Sequence, residues 1–407
     1  MNLENASLRP HDTTVRPLQS PKPPRLLSLD VFRGLTIACM LLVNNHGSSS
    51  HFYPGLHHVT WEGWSLADVV FPSFIFIVGV AIPFSLESRR ARGLSRGTIL
   101  LNVVWRSILL FALGLFLNAF PAGIGRRMEH FDLAHLRIMG VLQRIAICYL
   151  FASVIYLYLR PKAQVVLGVS ILILYFILLK FVPVPGQGAG ELAKPDGTWA
   201  QYVDTRLLAG HLQYLPQPGQ SDLYHAGFEQ KGVLSTLPAI VTALIGAWVG
   251  RHLKSAATPL EKTAQLYLWG TLAILMGLVW SASFPIVQHL WTSSMVLFMA
   301  GIGMLALASC YYLVDIKRIK WWTAPLVVLG TNAIAVWTLD WFLRAALFQV
   351  VLTGSDGKIV NLKTYLWQGL SLWTGPYAGS LMMALAEVLF WIGVMSLLYR
   401  KRIFIRI

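Results

Sequence analysis

Residues Val43–Gly79 read VNNHGSSSHFYPGLHHVTWEGWSLADVVFPSFIFIVG. After Asp68 an apolar run begins that no charge interrupts before Glu87. Before it, His46, His51, His57 and His58 are strung through a loop of Ser, Gly and Pro. Upstream of Asn44 lies another apolar run, so the stretch closes one run, crosses a polar loop and enters a second through Asp68. Apolar runs of about 20 residues read as membrane spans. Polar side chains packed at the mouths of such spans are costly and are therefore functional candidates.

Working outward, the rest of the 407 residues has the same texture: 56% hydrophobic, only 13% charged, with a mean hydropathy of +0.59. About ten runs are long enough to cross a bilayer, near 28–46, 65–86, 99–119, 137–159, 163–182, 232–250, 264–283, 293–314, 323–343 and 377–399. The fold class is therefore expected to be an all-α polytopic membrane protein. Residues 1–25 contain no apolar signal-peptide core and are expected to be a disordered cytoplasmic tail, with 26–407 as the membrane domain. The segment 183–231, rich in Pro, Gly and Gln, is longer than a plain connection and is a candidate extracytoplasmic cap. Cys39, Cys148 and Cys310 lie in apolar runs and read as small core residues. No internal repeat is visible, which disfavours transporters built from repeats.

A net charge of +15 raises the question of nucleic acid, and its distribution answers it. With the N-terminus inside, twenty Lys and Arg fall on cytoplasmic segments, among them Arg89, Arg90, Arg92, Lys317, Arg318 and Lys320, against eight on the outer side. That is the positive-inside bias, with both termini cytoplasmic, and no nucleic-acid partner is needed to explain it.

Ser28 is a candidate N-cap for the first span, and Asp30 with Arg33 stands at i,i+3; the favoured reading of that pair is interfacial. Pro72 and Pro83 kink the second span, and Asp68 either caps it or serves chemistry. Arg106 is expected about one turn into the third span. Gln143 and Arg144 are expected deeper in the fourth, where a charge needs a partner or an anionic ligand. Asn332 and Glu387 are further costly groups, and Asp340 lies near an outer end. For any single loop histidine a plain hydrogen bond is the favoured reading. The four-histidine loop matches no zinc spacing, and no metal is expected.

Sorted by side, the inner half offers the cations Arg33, Arg106 and Arg144, which suit phosphates. The outer mouth offers Asn44, His58, Trp61, Asp68, Gln288, His289 and Trp291, which suit sugar hydroxyls and proton transfer. Such a division fits an enzyme whose phosphate-bearing donor comes from inside. The alternative is a secondary transporter for amino sugars, with the intramembrane Asp, Glu and Arg as coupling sites. A non-catalytic lipid or polysaccharide binder is a third reading.

The segments SLDVFRG, VNNHG, HVTWEGWSLADVVFPSFIFIVG, WRS at 105–107 and GVLQR at 140–144 resemble the heparan-α-glucosaminide N-acetyltransferase family. The resemblance continues more weakly, in the same order, through GVLSTLP at 232–238, PIVQHLWTSSMVL at 285–297 and GTNAIAVW at 330–337. It implies a membrane-embedded acetyltransferase that takes acetyl-CoA from the cytoplasm and acetylates the amine of a glucosamine-type sugar on the far side. It places the active-site histidine on His58, three residues before Trp61, and the Asn of the first conserved span on Asn44. The expected donor-binding set is Arg33, Arg106, Gln143 and Arg144. The expected acceptor-binding set is Trp61, Asp68, Gln288, His289 and Trp291. The lysosomal members carry a lumenal domain and an extra helix ahead of this core, where this chain has about 25 tail residues. A free amino sugar or glycan fragment is therefore the expected acceptor, and a bacterial inner membrane the expected setting. The lipid bilayer is the other expected partner, and a homodimer stays open.

Overall fold

The computed structural model describes residues 26–120, 133–186, 188, 192–216, 223–224, 226–353 and 359–404. The expected tail, residues 1–25, lies outside them. The helices are α1 Leu27–Asn44, α2 Leu66–Ala91, α3 Arg96–Ala119, α4 Val141–Tyr158, α5 Pro161–Phe181, the short α6 Trp199–Leu207, α7 Thr236–Leu253 and α8 Pro259–Ser281. They continue with α9 Ser293–Cys310, whose last carbonyls pass into a π-turn at Tyr311–Ile316, then α10 Thr323–Thr331 and α11 Ala333–Gln349. A small antiparallel pair, β1 Val351–Thr353 and β2 Ile359–Asn361, leads to α12 Leu362–Thr374 and α13 Pro376–Arg400.

Local chemistry sets many of the helix starts. Ser65 precedes α2, and its backbone N–H donates to Asp68 Oδ2 at 3.0 Å, which satisfies a donor left over at the helix entrance. Thr258 and Glu261 form the same box at α8, and Pro161, Pro259 and Pro376 open their helices at positions where a missing N–H costs nothing. Ser28 does not cap α1. That helix begins one residue earlier, and the Ser28 N–H donates to Asp315 Oδ2 at 3.2 Å across the bundle.

Nine helices among the described residues are long and apolar enough to cross a bilayer. The expected ninth span is not straight: α10 and α11 meet at Asn332 with an 81° bend. The cause is packing. α10 lies directly on α1, where a side-chain carbon at Gly34 would overlap the Leu326 carbonyl and one at Gly330 would overlap the Asp30 carbonyl. Two further expected boundaries move: residues 136–140 carry no helix, so the fourth span starts at Val141, and the sixth starts at Thr236.

α2 and α7 form the centre. Glycines at 79, 246 and 250 bring their backbones into contact, and a side-chain carbon at Gly79 would overlap the Ala243 carbonyl oxygen. Phe76, Ile77, Val80, Leu244 and Ala247 fill the surrounding core. α3, α5, α8 and α13 turn Leu101, Val166, Val279 and Leu389 outward, the apolar surface expected where lipid is the solvent. α1 ends, and α2, α4, α7, α9 and α13 begin, at one end of the bundle, so that end gathers the polar loops. Asp30 and Arg33 lie at the other.

Candidate active site

Asp68 stands in the first turn of α2 and is fully buried. Its Oδ1 faces His58 Nδ1 at 2.7 Å. Its Oδ2 accepts from the Val59 N–H at 3.2 Å, the Ser65 N–H at 3.0 Å and the Ser65 hydroxyl at 2.9 Å. A carboxylate holding that many donors at a helix N-terminus stays charged and fixed. It therefore orients the imidazole with the proton on Nδ1 and leaves Nε2 as the basic nitrogen. The His58 side chain is 45% exposed, open to a reactant, while its partner is sealed.

The wall beside this pair comes from the loop between α8 and α9. Glu62 pairs with Val287 in an isolated bridge, and the Gly63 N–H donates to Ile286 O at 2.8 Å. Gln288 donates to the Asp68 backbone carbonyl at 3.4 Å. His289 stacks on Trp61, ring centroids 5.7 Å apart and 8° from parallel. Burial, with Lys231 nearby, pushes the His289 imidazole down to about 3. It is therefore neutral and weakly basic at neutral pH, a poor candidate for the general base.

Trp291 is fully buried at φ 53°, a left-handed conformation that costs a bulky residue of order 1–3 kcal/mol. Three contacts hold it there: Nε1 donates to Thr242 Oγ1 at 3.1 Å, Phe71 meets its face edge-on at 5.2 Å, and the Arg144 guanidinium lies 5.2 Å from its ring. Two described residues of segment 183–231 reach the wall. Trp61 Nε1 donates to Leu192 O at 2.7 Å, and the Tyr224 hydroxyl donates to Thr60 O at 3.2 Å.

The family model for the catalytic region of heparan-alpha-glucosaminide N-acetyltransferase matches residues 25–277. The chain belongs to this family. The human heparan-alpha-glucosaminide N-acetyltransferase is 29% identical over 372 residues, covering 81% of this chain and 55% of the human protein. The mouse protein is 30% identical over 355 residues, covering 77% and 53%. The chain thus aligns with about half the length of these curated relatives.

With the N-acetyltransferase family established, the placement of the expected residues can be read. His58, Asp68, Trp61, Gln288, His289 and Trp291 form one contiguous group. Asn44 ends α1 at the same end of the bundle. Arg144 joins the group as well, which the sequence did not suggest. It lies in the first turn of α4, fully buried, donating from Nη2 to Gly232 O at 3.1 Å and to the Ser235 hydroxyl. The extended residues ahead of Val141 place it at the His58 end rather than among inner-half cations. Gln143 is buried against Gly114 of α3 and Gly140. Arg106 is ten residues into α3, deeper than one turn, with its guanidinium 5.3 Å from the Tyr149 ring. Arg33 stays apart, 3.3 Å from Asp30 at the opposite end of α1.

The remaining loop histidines go elsewhere. His51 stacks on Trp367, and His57 on Phe52 at 4.2 Å. A second buried cluster joins Asp340 to Asn45 Nδ2 at 3.2 Å, Trp391 Nε1 at 3.1 Å and Arg344 at 3.1 Å, with Glu387 and Lys363 beside it. Lys231 is the residue that sequence reasoning missed. It counts as one more outer-loop cation in the sequence, but the structure buries it 5.2 Å from the Phe71 ring.

Proposed function

We propose that this chain is a membrane-embedded N-acetyltransferase that moves the acetyl group of acetyl-CoA to the amine of a glucosamine-type sugar. The observation that carries this reading is the 2.7 Å contact between His58 Nδ1 and buried Asp68. It presents Nε2 to take the proton of the attacking amine. As the amine adds to the thioester carbonyl, negative charge grows on the carbonyl oxygen, and the Asn44 amide supplies a donor for it. Collapse expels CoA as the thiolate, which recovers a proton. Direct transfer and transit through an acetyl-imidazole differ in one respect: only the second leaves labelled acetyl on the protein when acceptor is withheld.

The donor arrives from the Arg33 end in this reading. Arg33 and Arg106 are its candidate phosphate contacts, and the positive-inside bias makes that end cytoplasmic, with both termini there. The acceptor waits on the far side beneath segment 183–231, which acts as an extracytoplasmic cap within the membrane domain 26–407, in a bacterial inner membrane. The test is to supply labelled acetyl-CoA and a panel of amino sugars to reconstituted protein and to identify the labelled product. N-acetylated sugar supports the proposal; sugar movement without thioester consumption overturns it.

A further inference from the structure

Three side chains beside the reacting pair carry nitrogens with no hydrogen-bond partner among the described residues. Arg144 is fully buried and donates only from Nη2; its Nε and Nη1 are sealed from solvent without a hydrogen-bond partner among the described residues. His289 Nδ1 is likewise buried with no hydrogen-bond partner among the described residues, and it is a donor when it carries the ring proton. Lys231 Nζ makes no hydrogen bond or ion pair among the described residues, yet its side chain is buried over Phe71, one turn along α2 from Asp68. Phe71 and Trp291 link the set: Lys231 lies on one ring, Arg144 on the other, and the rings meet edge to face.

Of the acids nearby, Glu229 and Asp68 are committed elsewhere, while Asp204 keeps one buried oxygen, Oδ2, without a hydrogen-bond partner among the described residues. Glu229 takes Arg137 Nε at 3.0 Å and Nη2 at 2.5 Å, together with the Gln213 and Lys231 backbone N–H groups. Asp68 is saturated by His58, Val59 and Ser65. Asp204 accepts the Val233 N–H at 2.8 Å, and burial pushes its carboxyl up to about 7, so it is about half neutral at that pH. Burial with Arg144 nearby pushes Lys231 down to about 7, the response of a cation short of counter-charge. Buried donors such as Arg144 Nε and Nη1 are expensive to leave unsatisfied unless a ligand arrives to use them.

We propose that Arg144, Lys231 and His289 form an oxyanion-binding subsite that holds a carboxylate, sulfate or phosphate substituent of the acceptor sugar while its amine faces His58. The subsite would make Lys231 a specificity residue: it selects anionic amino sugars over neutral ones. This deepens the acetyl-transfer reading and rests on it for the acceptor's identity. The rival source of the same chemistry is a phosphate of the donor.

The test uses the full-length protein in detergent or nanodiscs with Lys231→Met and Lys231→Arg. KM is measured for glucosamine, glucosamine 6-sulfate and glucosamine 6-phosphate, with acetyl-CoA and with acetyl-pantetheine as donors. Binding of the two anionic sugars is measured separately by calorimetry without donor. The expected result is that wild type prefers at least one anionic sugar, that Lys231→Met lowers this preference ten-fold or more, and that Lys231→Arg restores part of it. The proposal is overturned if wild type shows no such preference. It is also overturned if the variant loses the preference for acetyl-CoA over acetyl-pantetheine instead, which assigns the subsite to the donor. If no acetyl transfer occurs with any sugar, yet anionic-sugar binding is present and falls in Lys231→Met, the subsite stands and the acetyl-transfer reading fails. Absence of binding as well overturns the subsite.

Discussion

Replacing Asp68 by Asn tests the reacting pair at one atom. In wild type, Oδ2 accepts the Val59 and Ser65 N–H groups, and Oδ1 accepts from His58. An amide must keep its oxygen toward the two backbone donors, because an NH₂ there would face two N–H groups. Its NH₂ is therefore forced toward His58 Nδ1, which must then accept. The proton moves to Nε2, the nitrogen the reaction needs free. The perturbation thus leaves the loop in place and reverses the tautomer. Losing the charge-assisted bond alone is worth about 1.5–3 kcal/mol, roughly 10- to 150-fold. A reversed tautomer in a comparable acid–histidine pair costs about 10⁴ in kcat. The expected fall in kcat lies between these figures, above roughly 10²-fold, with a small change in thermal stability. The assay is acetyl transfer from labelled acetyl-CoA by reconstituted protein, paired with a melting curve. Turnover within a few-fold of wild type in a folded variant would refute the role of the pair.

Other consequences can be checked separately. Arg33→Ala should weaken CoA binding more than sugar binding, by about 1.5–3 kcal/mol if it holds a phosphate; equal effects on both, by calorimetry, would remove Arg33 from the donor site. Asp204 has a folded pKa of about 7 against an ordinary 3.8, so the folded state binds more protons between those values. Its contribution to stability is therefore lost as pH rises through about 7. The melting temperature of Asp204→Asn relative to wild type should climb between pH 4 and 7, and a flat difference would contradict the burial of that carboxyl. Gly79→Val should drive α2 and α7 apart at a cost of about 3 kcal/mol or more, seen as a lower melting temperature, since the new side chain meets the Ala243 carbonyl.

Hydropathy located the spans because a bilayer selects for apolar length, and Ser65-x-x-Asp68 is a helix-start pattern visible in the sequence. The bend at Asn332 left no such trace, since a run of apolar residues counts length and not direction. Arg144 looked deep because residues before Val141 extended its apolar run, although they are not helical. Trp61 and Gly63 just downstream set His58 ahead of the other loop histidines, but its catalytic role was legible only through the family context. Lys231 had no local signal at all: it is buried against Phe71 of α2, with Arg144 of α4 nearby, which only the fold brings together.

The most direct measurement of the central claim uses sealed proteoliposomes with labelled acetyl-CoA on one side and amino sugar on the other, for wild type and His58→Ala. Label on the sugar across the membrane with wild type, and none above background with folded His58→Ala, is the predicted result. Undiminished transfer by His58→Ala, or labelled product only on the donor side, would contradict it.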